Sequence, residues 1–280
     1  MDSLVSTEWL ASELGAADLR IVDATFFLPA DGRNARAEYQ LTHIPGAVFL
    51  DLEEIADPDH PVPNMLPPAA RFASHMQALG IGDSDRIVVY DNSPHHSAPR
   101  AWWMLKIFGA REVAVLDGGF RKWTAEKRPI EAGPVLPPRG DFAPAFNSDL
   151  LADKSFVASI LHTPSQAIVD ARSASRFAGL DPEPRPGVSP GHIPGSRNLP
   201  HTLLFNPDNS FKRGEALRAA FKEAGVDLAK PMVTTCGSGI TAAVLLFGAH
   251  LLGKRDVRLY DGSWAEWGSD PDTPKAVGAE

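Results

Sequence analysis

The sequence predicts an α/β protein built from two copies of one domain, each a mostly parallel sheet flanked by helices. Two observations carry this prediction. Four landmarks recur in the same order at offsets of 144 to 149 residues, which is how an internal duplication appears in a single chain. Within each copy, short apolar segments alternate with amphipathic ones. Strands that alternate with helices in this way are typical of parallel sheets covered on both faces.

The landmarks are short motifs at the ends of predicted strands or in turns. Their pairs are Ile21–Ala24 with Ile168–Ala171, His43–Ala47 with His192–Ser196, Ile87–Asp91 with Met232–Cys236, and Leu116–Gly119 with Tyr260–Ser263. A segment rich in proline and glycine, residues 134–149, separates the copies and predicts a linker. We therefore expect a first domain over 1–133 and a second over 150–280.

Each copy shows the same predicted elements in the same order. An amphipathic helix opens it (7–14 and 152–161), followed by the strand that carries Ile-Val-Asp and by the His-Ile-Pro-Gly turn. A second helix (68–79 and 214–224) then leads into the second apolar strand. A further helix and a third strand (113–116 and 257–260) complete the copy.

Composition narrows the class of protein. The 280 residues are 44% hydrophobic with a formal charge of -8, which argues against a general nucleic-acid or anionic-membrane surface. No apolar run approaches the ~20 residues of a membrane span, and the N-terminus lacks the pattern of a secretory signal. The single cysteine allows no internal disulfide and fits a reducing compartment. We expect a cytoplasmic protein.

The single cysteine opens the most informative segment, Cys236-Gly237-Ser238-Gly239-Ile240-Thr241. It follows a predicted buried strand (231–235) and precedes a predicted helix (241–252), so the sulfur should lie in a strand-to-helix turn. Amides of such a loop and of the first helical turn favour an anion, and a thiolate is an anion. The alternative is that the cysteine is an inert core residue. This alternative is disfavoured because two glycines and two hydroxyl residues follow the sulfur, a composition that suits an anion site better than a core.

Other chemistries are disfavoured by what the motifs lack. Thiol phosphatases need an arginine at the end of a loop of this length, where this chain has Ala242. The adjacent His95 and His96 have no spaced ligands around them, and Gly118-Gly119 lacks the third glycine of a dinucleotide loop. We therefore expect neither a metal nor a cofactor. His43 and His192, in the repeated turns, are predicted to be structural and to hydrogen-bond the local backbone.

Taken in order, these motifs and the segment Ser97–Trp103 resemble the rhodanese superfamily over nearly the whole chain. Within it, the chain is most similar to the tandem-domain sulfurtransferases that use 3-mercaptopyruvate. The resemblance implies two tandem rhodanese-like domains, of which only the second keeps the nucleophile, because Asp91 stands at the position of Cys236. The first domain would then close the site and contribute a residue across the interface.

The resemblance also implies a mechanism and its residues. Sulfur would pass from 3-mercaptopyruvate to a persulfide on Cys236, releasing pyruvate, and then to a thiol or cyanide. Arg176 and Arg185 would bind the carboxylate and ketone of the donor, since guanidinium groups bind carboxylates bidentately. Ser238 would hydrogen-bond the sulfur or relay a proton, and Thr241 would cap the helix. Thiosulfate-using relatives carry basic side chains after the sulfur, whereas Gly237 and Ser238 are neutral.

One position departs from the family. A histidine before Met-Leu-Pro and an acidic residue in the same loop are proposed to form a relay with the cysteine. This chain has Asn64 there, with Glu53 at the acidic position, and asparagine cannot take up a proton at neutral pH. Either the relay is dispensable, or His60, His95 or His96 replaces it, or the enzyme is slow or prefers another donor.

Two other functions stay open at this stage. One is a thiosulfate sulfurtransferase, and the other is a non-catalytic module that binds small anions or a partner protein. The expected partners of the favoured function are a small 2-oxo-3-thiol acid as donor and a thiol acceptor, either a small thiol or a thioredoxin-like protein. No nucleic acid and no membrane are expected.

Overall fold

Each half of the chain folds around a five-stranded parallel sheet, and the predicted α/β architecture is confirmed. The structure, a computed structural model, describes residues 1–278; Ala279 and Glu280, which end the predicted second domain, lie outside the described residues. It divides into two units. The first unit contains Met1–Pro58, Leu66–Asn147 and the loop Asn206–Ser210. The second contains the loop Asp59–Met65, Ser148–Phe205 and the chain from Phe211 onward.

The first unit has strand order β1-β5-β4-β2-β3 with all pairs parallel. Its elements are β1 Leu4–Val5, α1 Thr7–Glu13, β2 Leu19–Asp23, α2 Ala35–Leu41, β3 Val48–Phe49, α3 Leu52–Ile55, α4 Ala69–Ala78, β4 Arg86–Tyr90, α5 Ala98–Ile107, β5 Glu112–Leu116 and α6 Gly119–Ala125. Two of these helices begin at residue types that favour the N-cap position. The Ser6 hydroxyl accepts a hydrogen bond from the Trp9 amide at the start of α1, and the Asn34 side chain accepts one from the Ala37 amide at the start of α2.

The second unit repeats this topology as β6-β10-β9-β7-β8. Its elements are β6 Leu151–Ala152, α7 Lys154–Ile160, β7 Ala167–Asp170, α8 Ala174–Phe177, β8 Arg197–Asn198, α9 Gly214–Glu223, β9 Met232–Thr235, α10 Ala242–Leu251, β10 Val257–Tyr260 and α11 Ser263–Trp267. The amphipathic α9 buries only Leu217, Ala220 and Phe221, whereas α10 is buried from Ala242 through Ala249. A helix that is apolar all round packs in the interior, so α10 is the helix that fixes the end of β9.

Residues of the predicted linker pack within the first unit. The Phe142 side chain is 1% exposed, its amide donates to the Ile81 carbonyl, and the Gln77 side chain donates to its carbonyl at 3.0 Å. Pro137 packs against Gly80: a Cβ added at Gly80 would lie 2.6 Å from the Cβ of Pro137. Among residues 1–278, no helix has both the length and the apolar character needed to cross a membrane.

The register of the second sheet places the chemistry at one edge. Asp170, the last residue of β7, pairs with Thr235, the last residue of β9. The carboxyl ends of these parallel strands are therefore flush. Cys236 directly follows β9 and Arg172 lies two residues after the end of β7, at the same edge. This is the edge at which ligands bind in open α/β sheets.

Candidate active site

Cys236 begins the loop between β9 and α10, as predicted, and it is 2% exposed. Its amide donates to the Ser263 hydroxyl at 3.1 Å, and its carbonyl accepts the Trp264 amide at 2.9 Å. The Gly237 carbonyl accepts the Ala265 amide at 2.8 Å. The start of α11 therefore fixes the backbone on both sides of the sulfur. Ser263 adopts φ 49°, a left-handed conformation that is rare outside glycine and occurs where surrounding structure enforces it.

Four amides in the loop after Cys236 have no acceptor within the described part of the chain. Those of Gly237, Ser238, Ile240 and Thr241 donate no hydrogen bond to any other residue of the described chain. Gly239, at φ 80°, turns the chain in a conformation that favours glycine. Successive amides without protein acceptors in a turn form a site suited to an anion.

The matched loop in the first unit gives the contrast. There the Asp91 carboxylate accepts the amides of Ser93 at 2.9 Å and Ala98 at 2.7 Å. Burial raises the pKa of Asp91 to about 6, even though these two amides favour its charged form. In the first loop, the carboxylate thus binds amides of its own turn. The second loop has a sulfur at the matched position and amides that can bind an anion.

Ser238 and Asn64 lie together in the second unit. The Asn64 side-chain amide donates to the Ser238 hydroxyl oxygen at 3.0 Å, and both residues are buried. Asn64 has φ 61°, a conformation that asparagine tolerates better than most residues. Since the serine oxygen accepts this bond, its proton remains for donation elsewhere. The loop Asp59–Met65 therefore brings Asn64, a predicted contributor, to the loop that begins at Cys236.

The other predicted contributors from the first half are placed differently. Glu53 is exposed in α3 of the first unit, where its amide donates to the Asp51 carboxylate. His95 pairs with Asp31 at 2.8 Å and His96 with Asn209 at 2.9 Å, both within the first unit. His60 is in the loop Asp59–Met65, where its Nδ1 accepts the Val62 amide at 3.1 Å. Within the second unit Asn64 therefore lies at Ser238, and the contribution of Glu53 stays a prediction.

Arg176, predicted to bind substrate, lies against the cysteine loop. A Cβ added at Gly237 would be 3.1 Å from Arg176 Nη2, so the guanidinium group packs where a larger residue would stand. The opposite edge of that group pairs with Glu183, and the arginine side chain is 25% exposed. Arg185 follows in the loop after Glu183 and is partly buried, and its role as the second substrate arginine stays a prediction.

Sequence reasoning missed the buried charges that support Arg176. Asp170, Arg172 and Glu183 have side chains only 1%, 1% and 4% exposed, and Arg172 pairs with both carboxylates. Burial alone would lower the pKa of Arg172, but these two ion pairs outweigh it and raise the pKa above its ordinary value. The available signal was the charged sequence Asp-Ala-Arg, whose aspartate ends a buried strand, because such charges are buried only when paired.

Two smaller predictions have different outcomes. The rings of His43 and His192 are structural, as predicted: each Nδ1 hydrogen-bonds a backbone carbonyl at 2.8 Å, that of Tyr39 and of Phe177 respectively. The capping role of Thr241 is wrong, since it occupies the N-cap position of α10 without a side-chain capping bond. Its φ of -75° and ψ of -17° are already helical, whereas a capping residue is extended.

Comparison with known proteins adds an independent line of support. A model of the rhodanese-like domain matches the chain twice, over residues 6–126 and 154–270. The 3-mercaptopyruvate sulfurtransferase of Mus musculus is 42% identical over 271 residues, which cover 95% of this chain and 91% of the relative. That of Escherichia coli K12 is 41% identical and covers 96% of both chains. The thiosulfate sulfurtransferase of Cricetulus griseus is 42% identical, with 95% and 91% covered.

Solved structures agree with these relatives. The crystal structure of the 3-mercaptopyruvate sulfotransferase SseA from Escherichia coli matches with a TM-score of 0.87 at 39% identity, over 94% of this chain and 99% of that one. Tum1 from Saccharomyces cerevisiae matches with a TM-score of 0.91 at 29% identity, over 99% of both chains. Since both of its domains match the family model and its relatives match nearly end to end, this chain belongs to the rhodanese family, as a tandem-domain sulfurtransferase.

Proposed function

We propose that this enzyme transfers sulfur from 3-mercaptopyruvate, through a persulfide on Cys236, to a thiol or cyanide acceptor, with release of pyruvate. One observation carries the proposal. In the loop that follows Cys236, the amides of Gly237, Ser238, Ile240 and Thr241 have no protein acceptors within the described chain, whereas the matched loop of the first unit is closed by Asp91. Relatives named for 3-mercaptopyruvate support the choice of donor.

The chemistry begins at the two sulfur atoms. The Cys236 thiolate attacks the thiol sulfur of the donor, forming an S–S bond while the C–S bond breaks. The electron pair of the C–S bond leaves with the carbon fragment as the enolate of pyruvate, which then takes up a proton. The donor sulfur keeps its own hydrogen, so a persulfide remains on Cys236. An acceptor nucleophile then attacks the outer sulfur and regenerates the thiolate.

Two side chains at the loop have roles that follow from their contacts. Ser238 accepts a hydrogen bond from Asn64 and so has its own proton directed away from that amide, available to the sulfur or to the enolate. Arg176 presents Nη1 and one N–H of Nη2 on the edge nearest Gly237, since Glu183 occupies the other edge. That free edge suits the donor carboxylate.

Thiosulfate is the second candidate donor, because a thiosulfate sulfurtransferase is 42% identical to this chain. The two residues directly after Cys236, Gly237 and Ser238, are neutral, so neither places a cation beside the thiosulfate dianion. The ion pairs of Arg176 with Glu183, and of Arg172 with Asp170 and Glu183, leave the nearby charges balanced. Both features favour a monoanionic donor over thiosulfate. The physiological acceptor is proposed to be a thiol, small or thioredoxin-like, in the cytoplasm.

The test compares the two donors on the purified enzyme. Pyruvate release from 3-mercaptopyruvate should exceed sulfur transfer from thiosulfate in kcat/KM. Intact-mass spectrometry after donor alone should show a gain of about 32 Da, the mass of one sulfur atom, and Cys236→Ser should show none. A chain that gains no mass with either donor is the anion-binding or partner-binding module that the sequence also allowed.

A further inference from the structure

Among residues 1–278, the charged cluster beside the cysteine loop has no counterpart at the matched positions of the first unit. Asp23 and Asp170 are repeat counterparts, but two residues later the first unit has Thr25 and the second has Arg172. In the first unit the Thr25 hydroxyl and amide satisfy Asp23 at 2.5 and 2.9 Å. The fold therefore satisfies this aspartate without an arginine. The fold alone therefore does not explain why the second unit has Arg172 and its partner Glu183.

Glu183 determines which edge of Arg176 faces the cysteine loop. Its Oε2 accepts from Nη2 at 2.5 Å and its Oε1 accepts from Nε at 3.3 Å, so one edge of the guanidinium group is taken. The two terminal nitrogens are the atoms nearest a Cβ at Gly237, at 3.1 Å for Nη2 and 3.7 Å for Nη1. The remaining N–H groups thus face the loop that begins at Cys236.

Glu183 is itself fixed by Arg172. The Arg172 guanidinium group donates to Glu183 Oε1 at 2.8 Å, to Asp170 Oδ2 at 2.7 Å and to the Gly191 carbonyl at 2.8 Å, and it lies 4.7 Å from the centre of the Trp264 ring. Every polar edge of Arg172 is therefore engaged at almost complete burial. Glu183 has little freedom to rotate, and its grip on Arg176 is rigid.

The cluster also sets the local charge. Two carboxylates, Asp170 and Glu183, balance two guanidinium groups, Arg172 and Arg176. A monoanion bound by the free edge of Arg176 gives this cluster one excess negative charge, which the predicted second substrate arginine, Arg185, would balance, whereas a dianion leaves one negative charge unbalanced. In surroundings of low dielectric this unbalanced charge is costly.

We propose that Glu183 is the positioning residue that aims Arg176 at the donor carboxylate and, through its own charge, makes the enzyme prefer a monoanionic 2-oxo-3-thiol acid to thiosulfate. This inference rests on the proposed function. It assigns to Glu183 no contact with the reacting atoms. Its effect is on donor binding and donor choice, and the sulfur-transfer step itself belongs to Cys236.

The test is Glu183→Gln, which keeps the shape of the side chain and removes its charge. We expect KM for 3-mercaptopyruvate to rise about tenfold with kcat within about threefold of wild type, since a misaimed Arg176 weakens binding before it affects chemistry. The ratio of kcat/KM for thiosulfate to that for 3-mercaptopyruvate should rise about tenfold, because a repelling charge is gone. Glu183→Asp keeps the charge but is shorter, so it should raise KM while leaving the donor ratio within about threefold.

The chain offers a matched control. In the first unit, Glu38 grips Arg33 with the same two-point geometry, at 2.7 Å to Nε and 2.5 Å to Nη2. Glu38→Gln removes one charge from an equivalent pair and should change neither KM nor the donor ratio. If Glu183→Gln does not fold, Arg176→Lys replaces it. The lysine keeps the positive charge but has no fork to aim, so the same rise in KM is expected.

Wild type, assayed alongside, separates the two proposals. If wild type releases no pyruvate from 3-mercaptopyruvate, the proposed function fails. If wild type is active and Glu183→Gln leaves KM and the donor ratio within twofold, Glu183 has no such role. A Glu183→Gln variant that loses kcat alone, with KM and donor ratio unchanged, equally overturns the inference.

Discussion

The hydrogen bond between Asn64 and Ser238 provides the sharpest test of the site. Asn64→Gly removes the donor without straining the backbone, because glycine adopts the φ of 61° at this position without steric cost. The variant loses the bond to Ser238, a neutral hydrogen bond of about 1 kcal/mol. The added freedom of glycine in the unfolded chain costs about a further 0.4–1 kcal/mol. For a chain of this size, a loss of about 2 kcal/mol lowers the melting temperature by about 4–8 °C.

The effect on activity follows from the Ser238 hydroxyl. With Asn64 in place, the serine oxygen is an acceptor and its proton points elsewhere; without it, the hydroxyl rotates freely inside a buried site. We expect kcat for 3-mercaptopyruvate to fall about tenfold, which corresponds to ~1.4 kcal/mol of lost transition-state stabilisation. Steady-state release of pyruvate and a thermal melt on the same preparation measure the two quantities together.

A second asparagine is the natural control. Asn209 lies 145 residues after Asn64, the offset that also relates Ile87–Asp91 to Met232–Cys236. It has φ 70° and pairs with His96 at 2.9 Å in the unit that lacks the cysteine. Asn209→Gly should lower the melting temperature comparably and leave kcat unchanged. Equal kcat in wild type and in both variants, despite lowered melting temperatures, would refute a role for the Asn64–Ser238 bond in the chemistry.

Three further outcomes are expected. Asn64→His should raise turnover by less than about tenfold if Ser238 handles the proton, and a larger gain in a steady-state assay would mean that a missing base limits this enzyme. Gly237→Ala places a Cβ 3.1 Å from Arg176 Nη2 and should raise KM for 3-mercaptopyruvate about threefold with kcat unchanged, whereas an unaltered KM would mean that Arg176 does not bind the donor. Burial raises the pKa of Asp23 from 3.8 to about 6, so the stability it contributes is present below about pH 4 and is lost as pH rises through 6. Asp23→Asn should therefore melt progressively higher relative to wild type between pH 4 and 7, and parallel melting curves across that range would contradict the assignment.

The sequence predicted the parts of the fold that have periodicity or a repeat. The strand before the cysteine and the helix after it were placed within one residue at each end, as β9 and α10. The edge strands β1, β3, β6 and β8 have two residues each, too few to show any alternation, and were missed. The domain boundaries at 133 and 150 stay a prediction.

Site residues were predictable where the residue type and its local sequence indicate the chemistry. They were not predictable where the role depends on a contact with a residue distant in sequence. Cys236 was found from its own loop. The pairing of Asn64 with Ser238 joins residues 174 positions apart, and no local pattern reveals it. Glu183 lies between two prolines in the sequence Asp-Pro-Glu-Pro, which is typical of an exposed loop, yet its side chain is 4% exposed because two arginines share it. Burial of a charge depends on tertiary partners, so composition alone misjudges it.

Asp91 and Thr25 determine what it would take to build a second sulfur site in the half of the duplication that has no cysteine. Asp91→Cys would remove the carboxylate that accepts the amides of Ser93 and Ala98, but it would not supply the charged cluster that lies beside Cys236 in the other half. Thr25 hydrogen-bonds Asp23 and occupies the position at which the second unit has Arg172. An arginine would be needed there to form the guanidinium pair. A second sulfur site in this half would therefore need several substitutions made together.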